Sequence, residues 1–234
     1  MKILALDKAT ENCSAALWID GSLIQQELEV PRGHADVILT MIDELLAQSG
    51  TRLAGLDAIA FGRGPGSFTG VRLAASVTQG LAFGTGLPVV PVSDLRAVAQ
   101  RAANRLSPEN AAVRHILVCN DARMQEVYWA CFERGPDGLM EPVGIERVSN
   151  PAEVNLPDQW AGTLVSAAGR GFVAYALLKQ RLVQSLTNID ERVLPGAAEI
   201  ASLAVAEIRA GRALPAQEAI PVYLRDDVAR PKGS

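Results

Sequence analysis

The sequence predicts an α/β protein built from two related lobes. Short apolar runs alternate with longer stretches of helical periodicity, and each half opens with a strand that ends in aspartate, a polar turn and a second strand. Asn104, Ser107, Pro108 and Asn110 interrupt the pattern between the halves. The expected boundaries are therefore a first lobe over residues 1–105 and a smaller second lobe over 106–234, with the C-terminal tail packing back on the first.

In the first lobe Lys2–Leu6 and Ser14–Ile19 are apolar runs flanking a polar turn, and Asp20-Gly21 is a hairpin signal leading to an alternating strand over Leu23–Val30. Val37, Ile38, Met41, Ile42, Leu45 and Leu46 recur at three- and four-residue spacing, which predicts a helix from His34 to Gln48 ended by Gly50. Leu56–Phe61 reads as a buried strand, Ser67–Phe83 as a helix, Val89–Val92 as a strand, and Ser93 as the cap of a third helix reaching Leu106. The order is βββαβαβα. The second lobe repeats it loosely, with strands at His115–Asn120, Glu126–Phe132, Gly138–Val148 and Gly162–Ser166, and helices at Gly171–Leu182 and Ala197–Ala210.

Composition narrows the function classes. A chain of 234 residues with 49% hydrophobic and 21% charged residues can bury a core in each lobe, which excludes disorder and coiled coil. The balance of 22 basic against 26 acidic residues leaves a net charge of −4, unsuited to holding nucleic acid without help. No apolar run approaches the roughly 18 residues that span a bilayer. The start, Met1 to Asp7, is too short and too soon charged for a signal peptide, and the sparse cysteines Cys13, Cys119 and Cys131 read as reduced thiols. A cytoplasmic setting without membrane contact is expected.

Two turns carry the polar chemistry. Asp7 ends a strand, with Lys8, Thr10 and Asn12 in the turn that follows; such a carboxylate suits an Asx-turn first, or a metal-bound phosphate. The loop Gly62–Gly66 holds three glycines in five residues and leads through Ser67, Phe68, Thr69 and Gly70 to Val71-Arg72. Its glycines allow close backbone approach, and Ser67 can cap a helix whose first amides favour an anion, although a tight strand-to-helix turn has the same pattern. A Walker ending is absent. The second turn, Asp121-Ala122-Arg123-Met124, is polar and distinctive. The helix from Ser67 carries Gly70, Ala74, Ala75, Thr78 and Gly80, small residues that fit a close helix contact or the chain's own sheet. The two histidines, His34 and His115, form no metal motif, and no nucleophile elbow is present.

Ile3–Thr10, the Gly62–Arg72 loop, Asp121–Tyr128 and Pro221–Arg225 together resemble the TsaB family, also called YeaZ, across nearly the whole chain. The resemblance implies a two-lobed actin/hexokinase/heat-shock ATPase-like (ASKHA, ribonuclease H-like) fold with a reduced second lobe. It also implies a non-catalytic part in forming threonylcarbamoyladenosine beside the anticodon of tRNAs that read A-starting codons. A TsaD-like subunit would carry the metal and the transfer chemistry, and a TsaE-like ATPase would join the pair. ATP or ADP and metal are expected on those partners or at their interface, with no cofactor or metal on this chain. Isolated chains are expected to pair as a homodimer, and tRNA to be met only through the complex.

For the partner surface the resemblance points to His34, Val37, Ile38, Met41, Val71, Arg72, Ala75 and Gln79. The family-motif residues, a vestigial phosphate loop, are Asp7, Lys8, Thr10, Gly64, Gly66, Ser67, Thr69, Asp121 and Arg123. One position departs from the family: Lys8 stands where a threonine is usual, placing a cation that could pair with Asp7 or attract an anion. Intrinsic ATP hydrolysis is not expected. The alternative reading is a small-molecule kinase or ATPase of the same fold using Asp7 or Asp121; a peptidase ranks last for want of ligands and nucleophile.

Overall fold

The computed structural model describes residues 1–29 and 35–225. His34 and Val30 lie outside the described residues. The first sheet contains β1 (Lys2–Asp7), β2 (Asn12–Ile19), β3 (Ser22–Glu29), β4 (Ala58–Gly62) and β5 (Val89–Val92), in the order β3-β2-β1-β4-β5. β1 runs antiparallel to β2 and parallel to β4, so Asp7 stands opposite Ser14 at one end while Leu6 pairs with Phe61. The helices of this half are α1 (Ala35–Ser49), α2 (Phe68–Thr85) and α3 (Asp94–Asn104). The βββαβαβα order is the one the periodicity predicts.

The second sheet repeats that topology. Its strands β6 (His115–Asp121), β7 (Val127–Arg134), β8 (Met140–Ser149), β9 (Val165–Ala168) and β10 (Asn188–Asp190) stand in the order β10-β9-β6-β7-β8. β6 is antiparallel to β7 and parallel to β9, as β1 is to β2 and β4. Two sheets of this order constitute the actin/hexokinase/heat-shock ATPase-like fold, with the second lobe reduced: β10 has 3 residues. The helix expected over Gly171–Leu182 is instead α4 (Gly171–Ala174) and α5 (Ala176–Leu182), because Tyr175 between them adopts extended dihedrals, φ −130° and ψ 99°. The strand expected over Gly162–Ser166 starts later, at Val165, because Gly162 takes a positive φ in the preceding turn. β10 is too short for alternation to reveal it.

Each sheet is covered on both faces. α1 and α2 cover one face of the first sheet, where Ile38, Met41, Ile42, Leu45 and Ala75 share a core with Leu4, Leu6, Ile59 and Phe61. The other face is covered by α6 (Ala197–Arg209), whose Ile200, Leu203 and Ala204 meet Ile3, Ala5 and Ala60. α3, although it follows β5, packs Leu95, Val98 and Ala102 on Ile116, Val118 and Phe132 of the second sheet. The last helix of each half therefore completes the core of the other. Among the described residues no helix is long and apolar enough to cross a membrane.

Candidate functional site

The two aspartate turns open onto one cleft of about 1040 Å³, lined on one side by Lys8–Glu11 and Pro65–Val71 and on the other by Asn120–Arg123 and Tyr128. Parallel pairing of β1 with β4 places the Asp7 turn beside the Gly62–Gly66 loop. The Ser67 amide donates to the Ala9 carbonyl at 2.7 Å. A Cβ at position 66 would approach that same carbonyl oxygen to 2.5 Å, so glycine is what lets loop and turn meet. Ser67 then caps α2, its Oγ accepting from the Gly70 amide at 3.1 Å.

Asp7 is fully buried. Its Oδ1 accepts from the Ala9 amide at 2.8 Å, the Asx-turn geometry. Thr10 Oγ1 accepts from the Asn12 amide at 3.2 Å. Lys8 does not form an ion pair with Asp7; its side chain runs along the cleft wall, 4% exposed, and Nζ donates to the Thr10 and Glu11 carbonyls at 3.3 Å each. Sequence reasoning missed Asp94, the first residue of α3, which is also fully buried. Its Oδ2 accepts from the Gly64 amide at 2.5 Å, and its other oxygen turns toward Asp7. Burial above all, and the neighbouring Asp7 charge next, hold the Asp94 carboxyl well above the usual range. The signal that could have found it is an acid at the start of a helix whose cap is already supplied by Ser93.

On the opposite wall Asp121 organises its own turn. One oxygen accepts from the Arg123 amide at 2.8 Å and from the Tyr175 hydroxyl at 3.0 Å; the other pairs with the Arg123 guanidinium at 3.0 Å. Arg123, Met124 and Gln125 all hold positive φ, 61°, 53° and 62°, a left-handed run that costs on the order of 1–2 kcal/mol per residue. The C-terminal segment bridges the walls. The Val222 amide donates to the Arg63 carbonyl at 2.7 Å, Arg72 Nε donates to the Tyr223 hydroxyl at 2.7 Å, and Arg225 pairs with Glu126. Arg72 also stacks over Phe68, 3.4 Å from its ring centroid.

The structure brings the expected motif residues Asp7, Lys8, Thr10, Gly64, Gly66, Ser67, Thr69, Asp121 and Arg123 to this one region, either as cleft lining or directly behind it. His115 is not among them; it stacks on Trp160 at 4.5 Å, at the far end of β6. Among the described residues no histidine or cysteine lines the cleft, and no three His, Cys, Asp or Glu side chains are grouped to hold a metal.

The residues expected at a partner surface divide. Ile38, Met41 and Ala75 are buried and Val37 packs against the same core, because α1 and α2 must spend those side chains covering their own sheet; Val71 is also buried, at the cleft wall beside the Gly64 loop. Gly70, Ala74, Ala75 and Thr78 likewise face inward. Arg72 is exposed, Gln79 is half-buried and donates to the Gln217 carbonyl at 3.4 Å, and His34 lies outside the described residues. The outward stripe of α2 is instead Thr69, Arg72, Ser76, Gly80 and Phe83, recurring every three or four residues.

Comparison with known proteins gives a concordant picture. The family model described as "TsaD: tRNA N6-adenosine threonylcarbamoyltransferase" matches residues 28–232. The sequence is 40% identical to the "tRNA threonylcarbamoyladenosine biosynthesis protein TsaB" of Escherichia coli strain K12, over 98% of this chain and 96% of that protein. It is 39% identical to the Haemophilus influenzae protein of the same name, over 97% and 95%. The solved structure titled "YeaZ from Pseudomonas aeruginosa" superposes with a TM-score of 0.84 and 39% identity, over 95% of this chain and 99% of that one.

Proposed function

The chain belongs to the TsaB family of tRNA threonylcarbamoyladenosine biosynthesis proteins, and from that premise we propose that it is the non-catalytic partner of a threonylcarbamoyl transferase. A TsaD-like subunit would hold the metal and transfer the threonylcarbamoyl group to the adenosine next to the anticodon of tRNAs reading A-starting codons. A TsaE-like ATPase would join the pair, ATP or ADP would sit on these partners or between them, and tRNA would be met through the assembly. The net charge of −4 supports a subunit that meets tRNA through the assembly and does not hold it alone.

The observation that carries the reading is the outward stripe of α2. Ser76 and Gly80 are small and exposed, and nothing lies within 4 Å of where a Gly80 Cβ would stand. A second helix could approach the α2 backbone closely there, flanked by Arg72 and by Phe83, which is 61% exposed; Leu39 of α1 adds 41% exposed apolar surface. Binding the active arrangement of the partner more tightly than the inactive one would raise the active population without any reacting group on this chain. In isolation the same stripe would meet its copy in a second chain and give a homodimer.

Co-elution with the TsaD-like subunit, read together with threonylcarbamoyl transfer in a reconstituted system, tests this. Ser76→Arg and Gly80→Arg should weaken both while leaving the melting temperature of the isolated chain near that of the parent. Ala75→Asp should instead unfold the chain itself, since a lone buried carboxylate costs several kcal/mol. Unchanged co-elution and transfer with both arginine variants would remove α2 as the interface.

A further inference from the structure

We propose that two buried arginines of α3, Arg96 and Arg101, lock the lobes into one rigid body, so that the cleft keeps a fixed width and does not close on what enters it. Because α3 packs on the second sheet and α6 on the first, the chain crosses between the two packed bodies twice, at residues 92–94 and 191–196. Two such crossings would make a pivot, and relative motion is the default for lobes joined in this way. The α3 arginines oppose it. Arg101 is 7% exposed and sits on the second body, yet its guanidinium reaches across to the first: Nε donates to Glu199 of α6 at 2.9 Å, and both Nη groups donate to Glu27 of β3. Arg96, 8% exposed, joins both bodies at once. Its Nη1 donates to Glu207 of α6 at 2.7 Å, while Nε and Nη2 donate to the Met140 carbonyl and to Glu141 at 2.5 Å each.

The second crossing is built around the Arg101 fork. Gly196, just before α6, has φ −148°, extended backbone open to other residues, so conformation does not call for glycine there. Space does: a Cβ would stand 2.0 Å from Arg101 Nη2 and 2.6 Å from Glu27 Oε1. The bare backbone thus lets the Arg101–Glu27 pair lie on the crossing itself. Its neighbours are tied to β2, since Asn12 Nδ2 donates to the Pro195 carbonyl at 2.8 Å and the Ala197 amide donates to Ser14 Oγ at 3.0 Å, both buried. At the first crossing Asp94 of α3 accepts from the Gly64 amide of the first lobe. Swinging one lobe would pull each guanidinium from its carboxylates and strand buried charge, which a planar fork bonded in several directions resists. Arg170 also bridges the lobes, to Glu11 and Glu29 at the cleft rim, but all three are partly exposed and add little to the hold.

The lock is independent of the partner role and is tested on the isolated full chain. Gln48→Cys on α1 and Gln180→Cys on α5, both exposed, carry spin labels that report the separation of the two bodies, the native thiols being buried. Labelled chain is diluted in excess unlabelled chain, so that only distances within one chain are read. Pulsed electron resonance should give one narrow distance population, unchanged by MgATP. Gly196→Ala, whose new Cβ displaces the flexible end of Arg101, and Arg101→Met, which removes the fork, should each add a second population. Leu45→Ala, a core truncation in the first body, should lower the melting temperature without adding one. Arg101→Lys, which keeps the charge but not the fork, takes the place of either variant that lacks a cooperative thermal transition. Several populations in the parent, a shift on adding MgATP, a single population in the fork variants, or an equal second population in Leu45→Ala would each overturn the proposal.

Discussion

Asp94 and Asp7 meet as a fully buried carboxyl pair behind the cleft, each tied at its other oxygen to a backbone amide: Gly64 for Asp94 and Ala9 for Asp7. Asp7 Oδ2 and Asp94 Oδ1 have no other partner, so one proton shared between the carboxyls satisfies both. The arrangement joins three segments distant in sequence, namely the end of β1, the glycine loop after β4 and the start of α3. Lys8 and Arg63 are the cations near enough to temper the remaining negative charge.

The shared proton makes stability depend on pH. The folded Asp94 carboxyl lies well above its ordinary value of 3.8, so the folded state keeps a proton that the unfolded chain releases. Its contribution is full below that ordinary value and is lost as pH rises through the folded pKa. Asp94→Asn presents a permanent donor to Asp7 and still accepts from Gly64, so it should flatten this slope and match or exceed the parent by about 1 kcal/mol at neutral pH. Urea midpoints measured from about pH 4 to pH 8 for both proteins check it; a parallel slope in the variant would show that the proton lies elsewhere.

Gly62 lies against the pair, where an added Cβ would stand 2.7 Å from Asp7 Oδ1 and closer still to Asp94 Oδ1. Gly62→Ala should therefore cost about 1–3 kcal/mol through forced displacement of the carboxyls. Thermal denaturation decides it, with Gly80→Ala, where nothing lies within 4 Å, as a helix control expected to stabilise slightly.

The C-terminal segment should hold the cleft walls together. Tyr223→Phe removes only the hydroxyl that accepts from Arg72 at 2.7 Å and should cost about 1 kcal/mol or less. Tyr223→Ala also removes the ring 5.9 Å from that of Phe68 and should cost about 1 kcal/mol more. Hydrogen exchange would show faster opening at the Val222 amide in the second variant; identical protection in both would mean that the segment is anchored by Arg225 alone.

The thiols should be inert in the folded chain. Cys13, Cys119 and Cys131 are buried and unpaired. Burial pushes the Cys131 thiol up to about 12 and raises Cys119 as well, with burial again the largest cause at Cys13. A chromogenic disulfide reagent at neutral pH should find all of them only after denaturant is added. Rapid labelling of one thiol in the native protein would place that strand outside the core.

The alternation of strands and helices, the repeat of a strand–aspartate–turn unit and the glycine loop are legible in the order of residues, because they follow from local periodicity and turn chemistry. Lys2–Asp7 and Asn12–Ile19 could be read from apolar runs, and Phe68–Thr85 from a serine cap and helical spacing. Packing between segments was needed to show which apolar residues are spent within the chain: Ile38, Met41 and Ala75 have the same spacing whether they face a sheet or a partner, and only their packing on Leu6, Ile59 and Phe61 settles it. It alone decided that α3 completes the second sheet and α6 the first, since helical periodicity names a buried face and not its neighbour. And it alone brought Asp94 to Asp7 and enclosed Lys8 in the cleft wall, because burial of a charged group depends on contacts between segments that no local pattern records.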